Sequence, residues 1–193
     1  ELSEACHLPV MLSLRIRACH MTGSFVCKDN QTPTYSARNP FPEARYDVGK
    51  IVLPPATYAQ EKAKFEDRLP AARRFIADNN LNEVMGDETG THGIITQGGT
   101  YSVVMRALRL LGAADAFGNT DIPILVLNVI HPLVPEQIES FLAGKDSVLV
   151  VEEGNPNFIE NQVAAIAQGA RIDCRVHGKD VLPMAGEYVA DVT

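Results

Sequence analysis

The chain has 193 residues, 46% of them hydrophobic and 21% charged, with a formal net charge of −7. That composition fits one sizeable globular domain with a little left over. The acidic balance argues against a nucleic-acid or anionic-membrane surface, since both demand a basic face. Four cysteines, Cys6, Cys19, Cys27 and Cys174, form no Cys-x-x-Cys pair, so neither a zinc ribbon nor an iron–sulfur cluster is expected wholly within the segment. Their sparse spacing reads as free thiols in a reducing cytosol rather than a secreted disulfide scaffold. No hydrophobic run reaches the roughly 20 residues of a membrane span, and no basic-then-apolar signal opens the sequence. A cytoplasmic location follows as the expectation.

In chain order, a short helix-like stretch from Glu1 to His7 runs into Pro9–Ile16. There Val10, Leu12, Leu14 and Ile16 alternate with Met11, Ser13 and Arg15, a period of two that predicts a strand. A lone strand is unstable, so most of its sheet is expected to lie elsewhere and the segment reads as excised at both ends. Residues 28–60 carry Pro33, Pro40, Pro42, Pro54 and Pro55, which predicts a linker. Its aromatics Tyr35, Phe41, Tyr46 and Tyr58 predict that it wraps over another surface. Phe65, Leu69, Ala72, Phe75 and Ile76 predict a helix over Tyr58–Asn79, broken or kinked at Pro70.

From residue 83 the pattern becomes regular. Strands are predicted at Gly93–Thr96, Ile122–Asn128, Ser147–Glu153 and Arg171–Val176. Helices are predicted at Thr100–Leu111, Pro135–Leu142 and from Pro156, capped by Asn155, to Gln168. Continuous apolar strands joined by helices predict a three-layer α/β/α domain over 83–193, with an open, mostly parallel sheet.

Several residues sit where open α/β sheets hold ligands. The turn Thr96-Gln97-Gly98-Gly99-Thr100 lies between a strand and a helix N-terminus, a place suited to anions. It lacks the Gly-x-Gly-x-x-Gly and Walker patterns, and a plain tight turn is the competing reading. Glu152 and Glu153 close a strand at its carboxyl end, where paired carboxylates can do acid–base work. A helix-capping or subunit-contact role is the alternative. His92 and His131 stand alone near strand ends and read as structural. Arg17 and His20, beside Arg15, end the first predicted strand and have the reach for a carboxylate or phosphate.

Four motifs in order carry a resemblance: Gly93–Gly98, His131–Pro135, Val150–Glu153 and Gly178–Glu187, with Leu14–Phe25 upstream. Together they resemble the indolepyruvate ferredoxin oxidoreductases, thiamine-diphosphate-dependent relatives of pyruvate ferredoxin oxidoreductase and transketolase. The resemblance implies that residues 1–27 end a pyrimidine-binding domain, 28–82 form a linker and connecting helix, and 83–193 form a transketolase C-terminal-like domain. It implies an intact homo-oligomeric enzyme that decarboxylates an aryl 2-oxoacid on thiamine diphosphate and magnesium. Electrons would pass through iron–sulfur clusters to ferredoxin, and the acyl group to coenzyme A. The family's catalytic glutamate, its Gly-Asp-Gly magnesium motif and its cluster cysteines have no counterpart in these 193 residues. No catalytic or metal-binding residue is therefore carried over, no cofactor is expected to be fully bound here, and the segment's implied role is structural. Positions close to cofactor or substrate are expected at Arg17, His20, Gly98, Gly99, Glu152 and Glu153. The alternative functions are an autonomous domain taking a small anion or nucleotide at Gly98-Gly99, and an interaction module docking through residues 8–26 and the linker.

Overall fold

The computed structural model describes residues 1–14, 16–20, 22, 47–87 and 89–190, apart from the side chains of Arg17 and Ala18. The chain divides into two compact units, Glu1–Phe75 and Ile76–Thr193.

In the first unit, α1 (Leu2–Cys6) ends on His7 in the left-handed region, φ 52°. It buries Cys6, whose thiol donates to the Leu2 carbonyl. Among the described residues of Pro9–Ile16 the expected strand is not formed. Residues 8–14 have no regular structure, and α2 (Ile16–Cys19) follows. Val10, Met11, Leu12, Leu14 and Ile16 are all exposed. The period of two states how this stretch would behave on a sheet, but among the described residues it pairs with no strand. Most of the predicted linker, residues 28–46, lies outside the described residues. After it, the Asp47 carboxylate accepts from Gly49 N–H and caps a single 3₁₀ turn, Val48–Lys50.

The predicted helix of residues 58–79 is present in three joined pieces: α3 (Ala56–Ala63), a π turn at Lys64–Arg68, and α4 (Leu69–Asp78). Proline at position 70 has no N–H, and in an α-helix its ring would collide with the carbonyl four residues back. The wider π turn just before it, in which Leu69 N–H donates to the Lys64 carbonyl, accommodates the ring without ending the helix.

The second unit is the open, mostly parallel α/β/α sheet that the sequence predicts. Its strands are β1 (Glu83–Met85), β2 (His92–Gln97), β3 (Ile124–Leu127), β4 (Ser147–Val151) and β5 (Arg175–His177), in the order β1-β3-β2-β4-β5. β1 is antiparallel to β3 and the other pairs are parallel. Connecting helices are α5 (Tyr101–Leu110), α6 (Pro135–Leu142) and α7 (Phe158–Ala170). Side-chain alternation divides the core. Ile95, Leu125, Leu127, Val148 and Val150 pack beneath α6 and α7. Ile94, Ile124, Val126 and Val151 pack beneath α5, joined by Leu182 and Tyr188 of the C-terminal tail.

Two boundaries differ from expectation. The helix predicted from Pro156 starts at Phe158, and neither Asn155 nor Asn157 caps it with a side chain. The strand predicted at Arg171–Val176 begins only at Arg175, because Arg171 sits in the left-handed region (φ 56°) as the residue that ends α7. No sequence signal marked β1, which is three residues long and exposed throughout.

Gly86, which follows β1, has φ +81°, and a Cβ there would run into the Ile122 carbonyl. Gly86→Ala is therefore expected to cost about 1–3 kcal/mol, read as a fall in the urea unfolding midpoint.

Candidate functional site

β2 lies between β3 and β4, so the chain leaves β2 through α5 toward one edge of the sheet and leaves β4 through α7 toward the other. The carboxyl ends of β2 and β4 thus flank the topological switch point, where open α/β sheets take ligands. Gly98, Gly99, Glu152 and Glu153 are all brought to this place. Arg17 and His20 belong to the first unit. Arg17 lies in α2, with its side chain outside the described atoms, and His20 follows α2 and is exposed.

On the β2 side, the turn Gly98–Thr100 is a 3₁₀ turn leading into α5. The buried Thr96 and Thr100 hydroxyls are 2.6 Å apart, and Thr100 Oγ1 donates to the Gln97 carbonyl at 2.9 Å. A Cβ on Gly98 would come within 2.6 Å of Asn128 Oδ1, so glycine lets the turn approach the end of β3. Asn128 Nδ2 in turn donates to the Leu81 carbonyl, at 2.9 Å. Buried Asn82 accepts from Val129 N–H through Oδ1 and donates to Gln137 Oε1, each at 3.0 Å.

On the β4 side, Glu152 is buried, and its carboxylate accepts from Ile159 N–H at 3.0 and 2.9 Å and from Glu160 N–H at 3.1 Å. This is the N-terminal turn of α7, where free N–H groups and the helix dipole favour an anion. The protein's own carboxylate fills that place, and the geometry realises the helix-capping alternative for Glu152. Glu153 N–H donates to Gln97 Oε1 at 3.4 Å, linking the two strand ends. Its carboxylate accepts from Tyr188 N–H at 2.7 Å.

Tyr188 belongs to a network that sequence reasoning did not find. Lys179 Nζ donates to the Glu152 carbonyl at 2.5 Å and meets the Tyr188 hydroxyl at 2.6 Å. It also lies 4.6 Å from the Tyr188 ring centroid. The Tyr188 hydroxyl donates to the Pro183 carbonyl. Lys179 N–H donates to Glu160 Oε2, so the tail is tied to α7 as well as to β4. The motifs Val150–Glu153 and Gly178–Glu187 therefore interlock. Their order along the chain was visible in the sequence, but nothing in the spacing tells that one holds the other.

The two isolated histidines take separate places. His131 is exposed beyond β3, ahead of Pro132. His92, at the opposite end of the sheet, has Nδ1 2.9 Å from Ser147 Oγ. A third, His177, has Nδ1 2.7 Å from Asp180 Oδ2. The Gly178 N–H and then the His177 ring hold the Asp180 carboxyl below the usual carboxylate range.

These residues do not fit thiamine diphosphate and magnesium. The anion seat at α7 is taken by Glu152, and Asn128 closes on the Gly98 turn. Among the described residues no three His, Cys, Asp or Glu side chains cluster as metal ligands. No helix among them is long and apolar enough to cross a membrane.

Glu152→Ala is expected to remove about 2 kcal/mol of stability by uncapping α7 in a buried place, measured as a lower urea midpoint. Lys179→Met is expected to free the tail. Limited proteolysis should then cut within residues 183–190 faster than in the wild type, before any loss of the sheet's circular dichroism.

The family model and the curated relatives agree on one family. The indolepyruvate oxidoreductase domain family matches residues 82–189, more than half of the chain. The indolepyruvate oxidoreductase subunit IorA of Methanothermobacter thermautotrophicus is 34% identical over 195 positions, covering 100% of this chain and 29% of that protein. IorA of Pyrococcus abyssi is 27% identical, covering 97% of this chain and 28% of that protein. This chain thus spans under a third of the length of the curated relatives it matches. Among solved structures, a 2-oxoglutarate:ferredoxin oxidoreductase from Magnetococcus marinus is 20% identical with a TM-score of 0.43, covering 71% of this chain and 22% of that one. The chain belongs to the indolepyruvate oxidoreductase domain family.

Proposed function

We propose that this chain is part of a thiamine-diphosphate-dependent enzyme that oxidatively decarboxylates an aryl 2-oxoacid such as indolepyruvate. Electrons pass to ferredoxin and the acyl group to coenzyme A. Residues 83–193 act as a scaffold that holds the catalytic domains in register, and residues 1–27 close a neighbouring domain. The observation that carries the scaffold reading is the self-filled switch point: Glu152 occupies the anion seat of α7 and Tyr188 is bonded to Glu153. Reacting groups gain from fixed geometry, so a rigid domain contributes by position even where it touches no substrate. The exposed Val10, Met11, Leu12, Leu14 and Ile16 support the reading that this stretch packs on a part of the enzyme outside these residues.

One observation favours the second reading, an anion at the Gly98-Gly99 turn. Unlike α7, α5 has no side-chain cap, since Thr100 Oγ1 is turned to Thr96 and Gln97. Calorimetric titration of the chain with inorganic phosphate tests it, and micromolar binding abolished by Gly98→Ala would promote it.

The complete reading frame that contains this sequence is the material for the main test. Supplied anaerobically with thiamine diphosphate, magnesium, coenzyme A and indolepyruvate, it should reduce a dye acceptor only when the oxoacid is present. Removal of residues 83–193 should weaken subunit assembly and abolish the reaction. A cluster-loaded protein that reduces nothing with any 2-oxoacid would sink the activity. An intact oligomer with full turnover after the deletion would sink the scaffold role.

A further inference from the structure

Parallel sheets occur almost only with protein over both faces, because neither face is polar enough to meet water. Here one face is well covered at the centre of the sheet. Beneath α6 and α7, Val148 and Val150 are 1% and 2% exposed. The other face is covered only in part. α5 and the tail shelter Ile124, Val126 and Val151, but Ser147, Leu149 and His177 are only half-buried and Arg175 is exposed. Alternation along β4 thus separates a closed face from an open one within a single strand.

The uncovered area is a groove of about 300 Å³, with His92, Ile94, Ile122, Leu149, His177 and Val181 among its walls. Strand register orders its chemistry. His92 lies opposite Ser147, and Ser147 opposite Arg175, so a polar row with one permanent cation crosses the amino ends of β2, β4 and β5. The next row along the same face holds Ile94, Leu149 and His177. His92 and His177 are each fixed through Nδ1, by Ser147 and Asp180, which leaves Nε2 as the remaining hydrogen-bonding atom of each ring. The groove is largely open to solvent. A small ligand normally buries most of its surface, which an open trough does not provide. A helix does fit such a trough, and helices are what cover parallel sheets.

We propose that this groove is the seat of an amphipathic helix from the part of the parent polypeptide outside these 193 residues. Its apolar stripe lies on Ile122, Leu149 and Val181, and an acidic side chain meets the His92–Ser147 edge, beside which the strand register places Arg175. The chemistry of the row selects the acid, since a guanidinium is matched by a carboxylate. The relatives supply the polypeptide, since this chain equals only 29% of IorA from M. thermautotrophicus. The inference rests on the reading that the chain is part of a larger enzyme, and it names the surface through which the scaffold is held.

Val181 is 61% exposed and marks the groove rim. Val181→Cys would be introduced into both the 193-residue chain and the complete reading frame, and labelled with a bulky maleimide. Modification at position 181 would be followed by peptide mass spectrometry. Labelling should be at least about tenfold slower in the complete protein, as a helix that seats stably must open before the thiol reacts. Adding Arg175→Glu should restore most of the rate in the complete protein and change nothing in the chain. Equal rates in the two proteins overturn the proposal. So does protection that arises only when indolepyruvate or coenzyme A is added, which would make the groove a small-molecule site. Protection that Arg175→Glu leaves intact overturns the acidic contact. Labelling needs no turnover, so a complete protein that protects residue 181 yet oxidises no 2-oxoacid would sink the activity and leave the groove assignment standing.

Discussion

The carboxylate of Glu152 on the first turn of α7 is the contact on which the second unit depends. It follows directly on β4, and both its oxygens are spent on backbone N–H groups of the helix that follows. A buried carboxylate is costly unless such donors surround it, and a buried helix terminus is costly unless an acceptor meets it. Each cost is offset by the other, so strand and helix are fixed together. The main-chain carbonyl of the same residue then receives Lys179, and the next carboxylate receives Tyr188. The tail thereby reaches the face that α5 leaves partly bare, where Leu182 and Tyr188 complete the core. One residue thus joins a strand, a helix and a terminal strap.

The strands β2, β3 and β4 were legible because they are continuous apolar runs that are mostly buried, and the helices α5 and α6 because their buried apolar residues recur at helical spacing. β1 and β5 were not, or only in part, because three residues carry too little periodicity to mark an edge strand. The misreading at Pro9–Ile16 has a different cause. Alternation specifies which face a strand would bury, but whether a strand exists depends on a partner that the alternation does not encode. The α7 cap was misplaced for a similar reason. Asn155 and Asn157 are local and chemically suitable, whereas the residue that does the capping lies across a loop.

At the candidate site, sequence located the ends of β2 and β4 but not what the residues there do. Glu152 and Glu153 looked like an acidic pair able to act together. Folding directs them differently, one into α7 and one to the tail. The Gly98 turn likewise depends on a close approach to Asn128 from another strand, a long-range fact that no local pattern states.

The π turn at Lys64–Arg68 carries a consequence for how this helix is compared across relatives. An α-helix advances 100° per residue, and a π turn holds one residue more than the α turn it replaces. Side-chain positions before Lys64 and after Arg68 therefore fall out of phase by about one residue, although the helix axis continues. A relative with one residue fewer in this stretch, and no proline to accommodate, would present the same faces on a plain α-helix. A one-residue gap in an alignment there would mark a change of winding, not a missing element.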